Sequence, residues 1–351
     1  MKKVLSLSTL LFLIPSLAFP GYAQRINISS CNNLYYIIYQ VGRGTKILSK
    51  YSITKKEKTI YYTLQDENRC SLVDVFLDLT SSKVGYSDVC NLSPESSATE
   101  SNIRYYVLNI LDIKTKKLIA KLSNAGGLAS FSPSGNAIVY AEQIPGERGS
   151  PVPPGYKGGV WIYDFKTKTK KSVSAMADDI NWSEHDGNIY VFQNIYMKPT
   201  VYRYNPIRGE IENTPYRGIY FSSDGKYYSN QPFEEYPSKL FRTSDNKEMV
   251  DWETMMGERG SKEFPGIAFK FWSRKLNAAI FSVVPSGTEN VVFDVGRGRI
   301  IGQFSGKVIG TNAQGTLVAV HPPLSSKASW AMDKVEILNL IELTSKYQSK
   351  K

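Results

Sequence analysis

Residues 126–143 read GGLASFSPSGNAIVYAEQ, and after a loop residues 158–174 read GGVWIYDFKTKTKKSVS. Each stretch holds two runs rich in β-branched and aromatic residues, separated by a short turn signal at 132–135 or 166–168. Each stretch therefore predicts a β-hairpin. The same pair of hairpins recurs along most of the chain, and such recurrence decides the architecture before any single motif does.

Seven copies of this double hairpin can be laid out along the chain. Their third strands start near Lys46, Tyr105, Val160, Val201, Lys239, Val291 and Val335. The shorter intervals between these starts match the roughly 40–50 residues of a four-stranded propeller blade, and the longer ones leave room for inserted loops. We predict an all-β chain, a single β-propeller of four-stranded blades. Seven blades are expected, or six if residues 25–65 complete the last blade, and an array of β-sandwiches is the structural alternative.

Three of the first hairpins resemble the Ser-Pro-Asp-Gly strand–turn–strand repeat of TolB-like and related WD-repeat-like propellers. They are FSPSGNAIVYA at 131–141, FSSDGKYYS at 221–229 and, more loosely, WSEHDGNIYVF at 182–192. The turns at 112–115 and 164–167 resemble the second hairpin of the same families. The resemblance covers residues 70–343 and implies the propeller fold, whereas function has to be argued from a site.

The first 23 residues are typical of a secretory signal peptide. Lys2 and Lys3 form a basic start, residues 4–17 are largely apolar, and small residues precede a cleavage after Ala23. Residues 24–351 should then form the propeller domain. Because the apolar run is shorter than the roughly 20 residues of a spanning helix, we expect no membrane span and an exported protein, periplasmic or secreted.

Charge and cysteine content agree with export. Loss of Lys2 and Lys3 would lower the net charge from +11 to +9, which favours anionic neighbours, while export argues against nucleic acid. Three cysteines would then meet an oxidising compartment. Cys70 and Cys90 flank a predicted hairpin, so antiparallel pairing would bring them together as a disulfide and leave Cys31 free.

Loop lengths distinguish the two faces of the predicted ring. Connections from first to second strands are short, whereas loops 144–158, 231–238, 252–265 and 322–333 join second to third strands or link blades, and these should share one face. They carry residue types enriched at protein-binding centres, namely Arg148, Tyr156, Tyr236, Trp252, Arg259 and Trp330. We predict a monomer that binds a protein partner through this face. The alternative is that these aromatic residues fold back as lids over the blade ends.

Catalytic motifs are scarce. The Gly-x-Ser-x-Gly elbow of serine hydrolases is missing, and two histidines cannot build a multi-histidine metal site, so we expect neither a metal nor another cofactor. Asp74 and Asp179 lie on predicted innermost strands, where they could face a central channel as acid and base or hold calcium. Alternatively, they hydrogen-bond neighbouring blades. A hydrolase or lyase acting on an anionic glycan at the channel mouth is the alternative function.

Overall fold

The structure is a computed structural model. It describes residues 23–28, 33–40, 45–52, 55, 57–65, 71–78, 82–91, 104–142, 159–174, 177–195, 198–230, 238–250, 267–283, 289–312, 314–321 and 336–349. Most of these residues lie in antiparallel β-strands or in the turns between them. Within these ranges, no helix is long and apolar enough to cross a membrane.

The described strands form seven antiparallel sheets, and each sheet is built from strands that follow one another in the chain. Sheet 1 contains β1 (Ala23–Ile28), β2 (Asn33–Gln40), β3 (Thr45–Ser52) and β4 (Glu57–Gln65). Sheet 2 contains β5 (Ser71–Leu77), β6 (Lys83–Asn91), β7 (Arg104–Asp112) and β8 (Leu118–Ser123). Sheet 3 contains β9 (Ala125–Phe131), β10 (Ala137–Glu142), β11 (Val160–Asp164) and β12 (Lys170–Ser174).

The remaining sheets follow the same order. Sheet 4 contains β13 (Asp179–Trp182), β14 (Ile189–Ile195), β15 (Lys198–Asn205) and β16 (Glu210–Thr214). Sheet 5 contains β17 (Tyr220–Phe221), β18 (Tyr227–Ser229) and β19 (Leu240–Arg242). Sheet 6 contains β20 (Ile267–Ser273), β21 (Ala278–Val283), β22 (Glu289–Asp294) and β23 (Arg299–Ser305). Sheet 7 contains β24 (Lys307–Thr311), β25 (Leu317–His321) and β26 (Glu336–Asn339).

The first strands of sheets 1, 2, 3, 4 and 7 lie innermost. Strand β1 contacts both β5 and β24, and β9 contacts both β5 and β13, so first strands approach one another. Sheet 1 thereby touches sheets 2 and 7, and the order of neighbours closes into a ring. This radial arrangement confirms the predicted all-β propeller class. Strands β1 to β4 form a sheet of their own and add no strand to sheet 7; the number of blades stays a prediction.

The core lies between neighbouring sheets. Each shared hydrophobic cluster contains residues from two sheets, for example Ile110 with Phe131, Val139 with Ile180, Phe192 with Ile219, Leu240 with Phe269, and Ile280 with Val320. The middle strands are therefore covered on both faces. This explains why β10 and β21 read AIVYAE and AAIFSV, nearly continuous apolar runs rather than an alternating pattern.

Turns from first to second strands repeat one geometry, which explains the Ser-x-x-Gly signal. In three of them, the side-chain oxygen of Ser132, Ser222 or Asn312 accepts a hydrogen bond of 3.0 Å from the first residue of the returning strand. Each turn ends at a glycine with φ between 63° and 69°, a left-handed conformation that glycine adopts without steric cost. We call the edge of the ring that carries these turns the tight-turn edge.

One part of the strand prediction was wrong. The sequence of residues 334–343, KVEILNLIEL, predicts the last strand of the last hairpin, but residues 340–343 begin helix α1 (Leu340–Gln348). The Asn339 side chain caps this helix, since its oxygen accepts from the Ile341 N–H at 3.1 Å and its amide donates to Glu342 at 2.9 Å. The helix contacts β23 and β26 and buries Leu340. It therefore covers the outer side of the sheets 6 and 7 interface.

The backbone at Gly218, just before β17, lies very close to the backbone at Ser229 and Asn230. A Cβ atom here would press against the Ser229 carbonyl and lie 2.6 Å from the Asn230 Cα, and neither backbone group can move aside cheaply. We expect Gly218→Ala to lower the free energy of unfolding by about 1–3 kcal/mol through overpacking, measured by urea unfolding. Gly296→Ala is the matched control, because a Cβ there meets only an Asp294 oxygen at 3.5 Å. Equal stability of the two variants would contradict the inferred contact.

Candidate functional site

Both acids predicted near the axis lie on innermost strands. Asp74 lies on β5 opposite Ser87, and its side chain is outside the described part of the chain. Asp179 begins β13, and its carboxylate accepts hydrogen bonds from the Tyr220 hydroxyl at 2.5 Å and from the Ile180 N–H at 2.8 Å. Because Tyr220 belongs to β17, this carboxylate connects sheets 4 and 5.

Tyr220 extends the connection to sheet 6. Its carbonyl accepts a hydrogen bond of 3.0 Å from the Trp272 indole, and its ring packs 5.9 Å from that of Phe269. On the other side, Asn181 donates to the Ile219 carbonyl at 2.8 Å. Polar side chains of the innermost strands thus tie three successive sheets together. Among the residues that can be described, no group of three or more His, Cys, Asp and Glu could hold a metal ion.

Turns of sheets 4 to 7 contact one another at the tight-turn edge. Glu184 of sheet 4 forms an ion pair with Arg274 of sheet 6, reaching past the turn of sheet 5. The Arg274 N–H donates to the Gln314 carbonyl of sheet 7 at 3.1 Å. Burial lowers the pKa of Arg274, but a guanidinium remains protonated at neutral pH. The His185 ring lies directly against Gly225, so this histidine fills space between two turns.

Turns between third and fourth strands, which we call tips, lie at the same edge. Asp112 and Asp164 accept backbone hydrogen bonds from Thr115 and Thr167, and these bonds are the main cause of the lowered pKa of both carboxylates. In the tip of sheet 5, two hydrogen bonds from the Arg242 guanidinium lower the pKa of Asp245 to about 2. The acids of these tips therefore stabilise their own turns and stay ionised at neutral pH.

Long segments leave the ring at the opposite edge, which we call the loop edge. The described strand ends there are Glu142 and Gly159, Asn230 and Ser238, Val250 and Ile267, and His321 and Glu336. Antiparallel pairing puts all of them away from the tight turns. Two backbone hydrogen bonds join four of these residues. The Glu142 N–H donates to the Gly159 carbonyl at 2.8 Å, and the Ser238 N–H donates to the Ile267 carbonyl at 2.6 Å.

The residues predicted for the recognition surface fall between these strand ends. Arg148, Tyr156, Tyr236, Trp252, Arg259 and Trp330 all lie outside the described residues. The topology therefore gives the edge from which their segments depart. Their roles stay predictions, to be tested by substitution.

One cysteine of the predicted Cys70–Cys90 disulfide lies on a described strand. Cys90 lies on β6 opposite Tyr105, while Cys31 and Cys70 are outside the described ranges. Ser71 pairs with Val89, so the register of β5 and β6 reaches the residues next to both partners of the expected bridge. The disulfide itself stays a prediction.

Two solved structures with TM-scores above 0.5 support the fold, and a third is similar more weakly. Hydrazine synthase from Kuenenia stuttgartiensis matches at a TM-score of 0.59 and 11% identity, covering 95% of this chain and 99% of that one. The β-propeller domain of the Trilobed protease from Pyrococcus furiosus matches at 0.54 and 12%, covering 90% and 93%. TolB from Acinetobacter baumannii matches at 0.41 and 15% over 72% of this chain, which spans 60% of TolB.

At such identities the likeness shows the fold alone. A match along nearly the whole of a propeller domain confirms the propeller resemblance predicted from the repeats. No protein-family model matches this sequence, and no curated protein sequence matches it either.

The Asp179–Tyr220 contact predicts a measurable coupling. Asp179→Asn should lower the free energy of unfolding by about 1.5–3 kcal/mol, the range for hydrogen bonds to charged groups. Combined with Tyr220→Phe in a double-mutant cycle, the effects should be less than additive, because the first change removes the charge that strengthens this bond and the second removes its donor. Glu210→Gln, which makes the same chemical change on an exposed residue, is the matched control. Strict additivity in urea unfolding would show that the two side chains do not interact.

Proposed function

We propose that this chain is an exported, monomeric propeller that binds a protein partner through the loops at its loop edge. One observation carries the proposal, the difference between the two edges of the ring. The described turns of the tight-turn edge are short and hydrogen-bonded to themselves, as at Ser132 and Ser222. The segments 143–158, 231–237, 251–266 and 322–335 all depart from the other edge. Binding residues concentrate on loops that a rigid scaffold holds.

Residue types in these segments support the same proposal. Trp252, Trp330 and Tyr236 offer large side chains with few rotatable bonds, and Arg148 and Arg259 offer planar cations. Tryptophan, tyrosine and arginine dominate the energy of protein interfaces, because they bury a large area and still make hydrogen bonds. A surface that combines them favours a protein partner over a small ligand.

The likeness to solved structures does not decide between a protein partner and a small ligand, so the proposal depends on the loops. Two of the similar chains named above come from a hydrazine synthase and from a protease, so one scaffold occurs in proteins with unrelated activities. Function in such folds depends on the side chains that the scaffold presents. The N-terminal signal pattern, with Lys2, Lys3 and the apolar run behind them, is the basis for proposing export.

The oxidation state of the cysteines tests the predicted disulfide. We expect Cys70 and Cys90 to be joined and Cys31 to be free, because only the first pair closes a hairpin. Peptide mapping of the protein secreted by its own cells, without reducing agent, should recover the joined peptides. Recovery of a bridge that contains Cys31 would show that the pairing is wrong.

Substitutions of the loop tryptophans test the binding proposal. Trp252→Ala or Trp330→Ala should reduce capture of a partner from the exported fraction by roughly 30-fold in affinity, because truncation at a binding centre costs about 2 kcal/mol or more. The melting temperature should stay nearly unchanged. If the tryptophans are lids, the same changes should instead lower the free energy of unfolding by about 3–5 kcal/mol.

Ile207→Ala is the matched control for this experiment. Ile207 is an exposed apolar residue on the tight-turn edge, so its loss should leave partner capture intact. Unchanged capture by both tryptophan variants would refute the loop edge as the binding surface. Equal loss by the control variant would show that capture does not depend on the loops.

A further inference from the structure

We propose that the tight-turn edge docks onto an anionic lipid bilayer through the lysine-rich tips of sheets 2 and 3 and the exposed Ile207 in the tip of sheet 4. The lysine-rich tips are residues 112–118 and 164–171. This surface lies at the opposite edge of the ring from the loops, so it is independent of the function proposed above. Three observations support it: the conformation of two lysines, the charge of the tips and the exposure of Ile207.

Both lysine-rich tips are built on one turn. Asp112 and Asp164 accept from the backbone N–H of Thr115 and Thr167 at 2.6 and 2.7 Å. The lysine after each threonine then turns its N–H back to the aspartate carbonyl at 2.9 Å. To do so, Lys116 and Lys168 adopt φ of 60° and 57°, the left-handed conformation.

Lysine is an unfavourable choice at this position. A Cβ atom in the left-handed conformation crowds the following carbonyl, and glycine or asparagine is the usual solution. The corresponding residues of the other described tips are Gly209, Asn246 and Gly298, with φ of 76°, 56° and 62°. Sheets 2 and 3 therefore retain lysine where the turn alone favours glycine. Such an outlier motivates a hypothesis of function for the lysine side chain.

The two tips concentrate positive charge. Residues 112–118 contain three lysines and one aspartate, and residues 164–171 contain four lysines and one aspartate. One of these lysines, Lys170, lies 3.3 Å from Glu142 and over the Tyr140 ring, which directs it along the sheet. The other exposed lysines of the two tips are Lys114, Lys116, Lys117, Lys166, Lys168 and Lys171. The tips are adjacent, because Lys83 beside the first lies 5.8 Å from the centroid of the Phe165 ring in the second.

Ile207 adds an apolar point to this charged surface. It is 93% exposed, the most exposed of the large apolar side chains among the described residues. Asn205 accepts hydrogen bonds from the N–H groups of Ile207 and Arg208 at 3.0 and 2.9 Å, so the turn is fixed with the isoleucine outside. Lys171 lies 3.5 Å from the Pro206 carbonyl, which joins this tip to the lysine-rich tip of sheet 3.

Cations around an exposed apolar side chain fit a bilayer better than a soluble polyanion. The lysines can interact with anionic headgroups, while the isoleucine enters the boundary between headgroups and acyl chains. A glycan or nucleic acid would use the cations alone and would leave Ile207 in water. Docking by this edge would also leave the loop edge directed away from the membrane.

Vesicle co-sedimentation of the full mature chain tests the proposal. The probe is a vesicle of equal parts phosphatidylglycerol and phosphatidylcholine, with pure phosphatidylcholine as the uncharged reference. The double variant K116G/K168G should bind the anionic vesicles roughly 25-fold more weakly, since each lysine near such a surface contributes about five-fold. Its melting temperature should not fall, because glycine suits the left-handed conformation of both positions. This separates lost binding from lost folding.

Two further variants identify the surface. K226Q/K247Q removes the same charge from sheet 5, where Asp224, Asp245 and Glu248 balance the cations, and should bind nearly as the parent does. I207S should weaken binding several-fold without affecting stability. Equal loss in both double variants would overturn the assignment to these tips. Binding of wild-type protein to soluble polygalacturonate that removes vesicle binding, together with no effect of I207S, would overturn the bilayer in favour of a glycan.

Discussion

Each of sheets 3 to 6 has two apolar faces, and only its two neighbouring sheets in the ring can cover them. The middle strand β21 is buried along its whole length, so sheet 6 is stable only between sheets 5 and 7. Burial of one such side chain stabilises the fold by about 1.5–3 kcal/mol, but only when both neighbouring sheets are present. Closing the ring is therefore a condition for stability. The short turns and polar contacts contribute to it by holding strands and neighbouring sheets in position.

Polar contacts near the axis constrain the relative positions of the sheets in a way that apolar packing does not. Hydrophobic contact is non-directional and would let neighbouring sheets slide past one another. The bonds from Tyr220 to Asp179 and from Trp272 to the Tyr220 carbonyl set the position of sheets 4, 5 and 6 along the axis. Sheet-to-sheet position at the core in turn fixes the strand ends at both edges. The loops and tips are thus presented from a common, rigid frame.

The repeat made the architecture predictable from the sequence, because one blade is a local unit of four strands. Predicted third-strand starts agree with the structure to within three residues in every sheet, from Thr45 in β3 to Glu336 in β26. The C-terminal helix was missed because β-branched and leucine residues at 337–343 suggest a strand. Asn339 followed by Glu342 three residues later was the available signal for a helix start.

Contacts between sheets and side-chain conformations could not be predicted in this way. Asp179 was expected near the axis, but its partner Tyr220 lies 41 residues further along, on another sheet, and no spacing rule relates them. The lysine content of the tips is visible in the sequence, whereas the left-handed backbone of Lys116 is visible only in the structure. The loop residues carry no period at all, so the topology gives only the edge from which their segments depart.

The contact between β1 and β24 has a consequence for how the chain folds. Each described sheet uses consecutive strands only, so the first and last sheets meet without sharing a strand. Six of the interfaces join segments that are neighbours in sequence and can form in turn during synthesis, while the last must join the two ends of the molecule. Loop-closure entropy grows only logarithmically with chain length, so joining the two ends costs little more free energy than a short closure. Contacts between residues this far apart in sequence nevertheless form slowly. We therefore expect the contact between the first and last sheets to form last during folding and to separate first under heat or force.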